Sequence, residues 1–171
     1  MKLHHWLRSV RMAFFAVSLL GVGCFVRVQA AESAVGVIQP FDFDHPVFAH
    51  QLPFAKREVV IQVTAGRPAA WNMALNIGQN LLDFFGQDKI RIVVVAFGPG
   101  LKMLLVNSPV RTRLESENNE GIEFDACHQT MKAMARKLGH MPLLVSQATV
   151  VPAGVARIMQ LEHAGFQYVR P

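Results

Sequence analysis

The segment Ile90-Arg-Ile-Val-Val-Val-Ala-Phe97, closed by Gly98-Pro99-Gly100, decides the fold. Apart from one arginine it is apolar and largely β-branched, so it reads as a central strand covered on both faces. Such a strand needs parallel neighbours and helices above and below it, and the flanking sequence supplies both. Upstream, Arg57-Glu-Val-Val-Ile-Gln-Val-Thr64 reads as another strand. Pro68 then opens a helix with Trp71, Ala74, Leu75, Gly78, Leu81, Leu82 and Phe85 on its apolar side, and Gly86 lies just past its end.

Downstream the alternation continues. Residues 101–106 suit a short helix, and residues 108–118 a polar one touching the core through Val110 and Leu114. Ile122-Glu-Phe-Asp-Ala126 alternates as a strand. Residues 128–138 form a helix with Met131, Met134, Ala135 and Leu138 on one face, ended by Gly139. Thr149-Val-Val151 is a short strand, Pro152 opens a last helix with Val155, Ile158, Met159 and Leu161 as its core residues, and residues 166–169 close as a strand. Strand and helix alternating five times with short connections imply an α/β domain, its parallel strands joined by crossovers and its helices on both faces.

This domain spans residues 56–171. Residues 31–55, with Pro40, Pro46 and Pro53 and no clean period, read as an extended N-terminal arm. Residues 1–30 divide as a secretory signal does: a basic start with Lys2, Arg8 and Arg11, an apolar stretch over 12–26, and small residues at Val28-Gln29-Ala30 for cleavage. Fifteen apolar residues fall short of the roughly twenty that cross a bilayer, so removal and a periplasmic location are expected, without stable membrane insertion. Gly21-Val22-Gly23 ahead of Cys24 lacks the large aliphatic residue of a lipoprotein processing site.

The 171-residue chain has 17 Lys+Arg and 12 Asp+Glu, a formal net charge of +5. Four of the basic residues belong to the leader, which leaves the mature chain at +1. That balance gives no dense basic patch for nucleic acid. No G-x-G-x-x-G, P-loop or G-x-S-x-G pattern occurs, so neither a nucleotide cofactor nor a serine-hydrolase elbow is expected. His45, His50, Asp42 and Asp44 match no closed metal site, and no metal is expected.

Open parallel sheets place their sites at the carboxyl ends of the strands. Three segments fall there: residues 64–67, the loop with Gly98 and Gly100, and Cys127-His128. Cys127 is the one cysteine left after the leader, so it forms no internal disulfide. At a strand-to-helix junction the free N–H groups and positive end of the helix favour a thiolate, while an ionised Asp125 on the same strand face opposes it. Packing as a small buried hydrophobe is an equally good reading of Cys127. His128 can cap the helix, approach the sulfur or face water. Asn72, Asn76 and Asn80 form an i,i+4 stripe that either holds the loops at the sheet end or borders the core. His140 and His163 read as surface residues, and Met103, Met131, Met134 and Met159 as core.

Val94-Val-Ala-Phe-Gly-Pro-Gly-Leu-Lys-Met-Leu104, Phe124-Asp-Ala-Cys127 and Thr130-Met-Lys-Ala-Met134 together resemble the DsrE/DsrF-like proteins of sulfur metabolism. Residues 151–159 and 165–171 resemble the exported branch of that family, and Trp71-Asn72 and Leu75-Asn76 fit the same pattern. The resemblance covers residues 58–171. It implies a three-layer α/β/α domain with a mainly parallel five-stranded sheet, assembled as a homo-oligomer. It also implies a sulfur-relay role in which Cys127 takes sulfane sulfur as a persulfide. The partners would then be a thiol-bearing donor or acceptor protein or a small sulfur species, with no cofactor. The sequence departs from the family's pattern at His128-Gln129, where an asparagine stands in the pattern. The alternative is a non-catalytic module that binds a small ligand or partner, with Cys127 structural; a third reading makes Cys127 a redox sensor.

Overall fold

The structure, a computed structural model, describes residues 41–171; the expected signal segment, residues 1–30, and the first part of the expected arm lie outside the described residues. Five strands and four α-helices follow in the order β1 (Arg57–Val63), α1 (Pro68–Phe85), β2 (Ile90–Ala96), a 3-10 segment (Gly98–Leu104), α2 (Arg111–Asn119), β3 (Glu123–Cys127), α3 (His128–Leu138), β4 (Ala148–Val151), α4 (Gly154–His163) and β5 (Gln167–Val169). The sheet order is β4-β3-β2-β1-β5, and every pair is parallel. The most apolar strand, β2, lies in the middle and is buried along its whole length. Among the described residues no helix is long and apolar enough to cross a membrane.

From β1 to β4 each crossover steps the same way across the sheet, and the intervening helices share one face. The step from β4 to β5 runs back across the sheet, and a crossover of the same hand must then use the opposite face. Accordingly α1, α2, α3 and the 3-10 segment contribute Leu75, Leu114, Met131 and Leu101 to one core, with Ile61, Ile92, Val94, Phe124 and Val150 from the strands. On the other face α4 adds Ile158 and Leu161 to a smaller core with Val60, Val93, Val95 and Phe166.

Residues 41–55 contain no helix or strand, and they lie against this second face. Phe48 stacks on Phe166 at 5.7 Å, and the Arg91 guanidinium sits 4.0 Å above the Phe48 ring.

The inward side of α4 differs from the expectation. Val155 and Met159 are exposed, while Arg157 and Gln160 are buried with Ile158 and Leu161. The helix is turned to bring Arg157 onto the buried Asp125 carboxylate, because an unpaired charge in this layer costs more than two apolar side chains gain. Leu138, expected on the core face of α3, is half exposed at the helix end. Met103 and Met131 are buried, and His140 and His163 are exposed, as the sequence indicated.

Candidate functional site

The connections after β3 and β4 leave to opposite faces of the sheet, toward α3 and α4. Adjacent parallel strands whose connections diverge open a crevice at their carboxyl ends. Cys127 is the last residue of β3, in register with Val151, the last of β4. It therefore stands at the carboxyl end of the sheet, where the two connections part. Its backbone is extended (φ −71°, ψ 113°), and it serves as the residue before the first turn of α3, where no side-chain cap satisfies the helix N–H groups. The helix macrodipole is complemented at the far end by Arg136 and Lys137. Cys127 is a free thiol, 5% exposed. His128, the first residue of α3, is half buried.

The glycine loop after β2 forms the neighbouring wall. Gly98 has φ +54° and donates its backbone N–H to Thr130 Oγ1 at 2.9 Å, which ties the loop to the first turn of α3. Gly100 is demanded by packing, because a Cβ there would stand 2.2 Å from the Val63 carbonyl oxygen. The loop after β2 therefore presses against the end of β1. Phe97 packs against Gly154 at the start of α4, so the 3-10, α3 and α4 elements converge around the end of β3.

Below Cys127 on the same strand face lie two buried acids, each with its own arginine. Arg157 Nε donates to Asp125 Oδ2 at 2.8 Å, while its other nitrogens donate to Gln160 Oε1 at 2.7 Å and the Val47 carbonyl at 2.9 Å. Arg91 donates to Glu123 Oε1 at 3.2 Å and to the His50 carbonyl at 2.8 Å. Glu123 also accepts the Ala49 N–H at 2.9 Å and the His50 N–H at 3.3 Å, and Gln160 donates to the Asp42 carbonyl. The arm is thus held by charge-assisted bonds from three elements. Burial pushes the Asp125 carboxyl up to about 6, against the pull of Arg157, and the nearby Glu123 adds to the rise. Its Oδ1 is buried without a hydrogen-bond partner.

The asparagines have a different place. Asn72 Oδ1 and Asn76 Oδ1 accept from Arg113 at 2.9 and 3.0 Å, and Arg113 also holds Glu117 through Nε and a terminal nitrogen. They clamp α2 to α1 and stand outside the crevice; Asn80 is exposed. Burial raises the Glu117 carboxyl against the pull of Arg113. Among the described residues no cluster of metal-ligating side chains forms: His45 pairs with Asp42 at 3.1 Å, and His50 meets Asn118 at 3.1 Å.

Of the residues named from sequence, the fold brings Cys127, His128, Gly98 and Gly100 to one end of the sheet. It uses Asp125 as the partner of a buried arginine. Sequence reading missed Arg91, Glu123, Arg157 and Gln160. The available signal was two arginines inside apolar runs and two acids alternating along a strand.

No protein-family model matches the chain, and no curated protein does. A solved structure does: that of MTH1491, a protein of unknown function from Methanobacterium thermoautotrophicum. It is 25% identical to this chain over 68% of it and 100% of the archaeal chain, with a TM-score of 0.62. The architecture is therefore shared across a deep sequence divergence, and the α/β fold of the residues around Cys127 stands independently of any activity.

Proposed function

We propose that the protein is an exported sulfur carrier of sulfurtransferase type, with Cys127 as the residue that bears the sulfur. The observation that carries this reading is the position of Cys127, at the carboxyl end of β3 where the chain diverges to the two faces of the sheet and at the uncapped start of α3. The resemblance to DsrE/DsrF-like proteins supports the same residue, and it supports assembly as a homo-oligomer and work in the periplasm with a thiol-bearing partner.

In the loading step the Cys127 thiolate attacks the outer sulfur of a persulfide or polysulfide. A new S–S bond forms as the donor's S–S bond breaks, and the electron pair leaves on the donor thiolate. Delivery repeats the displacement: an acceptor thiolate attacks the outer sulfur and Cys127 leaves as a thiolate. Neither step needs an external oxidant or a metal. Positioning falls to the backbone N–H groups of α3, with His128 beside the rim.

The test is the intact mass of the purified protein before and after incubation with polysulfide, with Cys127→Ser alongside. The expected result is a gain of about one sulfur mass, removed by a reducing thiol and absent from the Ser variant. Equal loading of the Ser variant would overturn the reading.

One observation favours a second reading, a binding module in which Cys127 only packs: the residue is 5% exposed. Rapid alkylation of the native protein near neutral pH supports the carrier, and labelling only after denaturation supports the module.

A further inference from the structure

We propose that the trench between the 3-10 segment, α3 and the turn that follows α3 binds a small amphipathic anion, an aliphatic chain ending in a single carboxylate-like group. Two hollows, of about 460 and 610 Å³, share Lys102, Met134 and Leu138 and so run into one another. Their sizes fall in the roughly 300–1,000 Å³ range of small-molecule sites. The walls are apolar: Pro99 and Met134 line the first hollow, Leu143 the second, and Leu138 and Leu143 are 50% and 48% exposed. Isolated surface leucines need no explanation, but these two line one depression together with Met134.

The charge around the trench has one sign. Lys102 and Lys137 line the first hollow. Neither residues 98–109 nor residues 128–147, which supply nearly all of the lining, contain an Asp or Glu. Neither lysine has a carboxylate partner among the described residues. A cation meets repulsion there, a small polar anion leaves the apolar walls unused, and a neutral alkyl chain leaves the ammonium groups unused. An alkyl monoanion satisfies both, with its chain along Met134, Leu138 and Leu143 and its head group at the lysines. Cys127 does not line the trench, so this site stands or falls independently of the sulfur reading.

The probe is sodium decanoate, titrated calorimetrically into the purified full chain below its micelle concentration. Decyltrimethylammonium serves as a control with the same tail and the opposite charge, and acetate as a head group without a tail. Saturable one-to-one binding of decanoate is expected, roughly tenfold tighter than octanoate from two buried methylenes, with no binding of either control. The double variant Lys102→Gln, Lys137→Gln should weaken decanoate at least tenfold while lowering the melting temperature by no more than a few degrees, since both side chains are exposed and the loss is confined to the charge in the last helical turns. Leu138→Asp should also weaken it. The proposal is overturned by absent binding, by equal binding of decyltrimethylammonium, or by a double variant with unchanged affinity. It is also overturned if sedimentation shows a dimer that Leu138→Asp splits, because a second copy of the chain would then occupy the trench.

Discussion

The two faces of the sheet are built from alternate residues of the same strands, yet they are stabilised differently. On the face covered by α1, α2 and α3, Phe124 and Ala126 of β3 enter an apolar core of many small contacts. On the face covered by α4 and residues 41–55, Glu123 and Asp125 of the same strand meet Arg91 and Arg157. An apolar layer tolerates exchange of one side chain for another of similar volume, because its attraction is non-directional. A layer of buried ion pairs requires particular partners at particular positions, because losing one leaves the other charged and dry.

Phe124 is 1% exposed on the apolar face, and Phe124→Ala should cost about 3–5 kcal/mol in urea unfolding, the largest effect expected here. A smaller loss would mean that this face collapses around the cavity. On the other face Arg157→Ala should cost about 3 kcal/mol at pH 7.5 by stranding Asp125, and distinctly less at pH 5, where that carboxyl takes up a proton. An equal loss at both pH values would show that the arginine acts through packing alone.

The same carboxyl gives the wild-type protein an unusual pH response. Its folded value, about 6, lies above the ordinary aspartate value of 3.8, so its contribution to stability is full below about 3.8 and is lost as pH rises through 6. Relative to Asp125→Asn, the wild type should gain on the order of 2 kcal/mol on going from pH 7.5 to 4.5. A gap that stays constant would place the carboxyl in an ordinary environment. The smallest effect is expected at the arm: Phe48→Ala, removing a ring held between Phe166 and Arg91, should cost about 1–2 kcal/mol. It should also speed amide exchange at Ala49 and His50, whose N–H groups bond Glu123.

The apolar face could be read from the sequence because its signals are local. The unbroken run of β2, the period of α1 and the proline and glycine at the two ends of α1 each sit within a few residues of what they specify. Even the polar side of β3 is visible as alternation. Its cover is not, because alternation suggests a solvated face and the arginines lie elsewhere in the chain: Arg91 and Glu123 are 32 positions apart, as are Arg157 and Asp125. Nothing near Arg157 reveals that it displaces Val155 and Met159 from the inside of α4. Cys127 and the glycine loop could be found because strand ends are marked locally. The asparagine stripe was ambiguous, and Arg113, which lies 41 positions from Asn72 and 37 from Asn76, decides its role.

The pairing of β1 with β5, and of residues 41–55 with α4, has a consequence for the order in which the chain can mature. Asp42 waits for Gln160, 118 positions later, and Val47 waits for Arg157, 110 positions later. During synthesis β1, α1 and β2 can assemble early from neighbouring segments, but one edge of β1 and the second face of the sheet stay open until α4 and β5 emerge. Closing those distant contacts is entropically slow. A nascent chain held in that interval presents an unpaired strand edge and one acid still without its arginine, because Arg91 is already in place for Glu123 whereas Asp125 waits for Arg157.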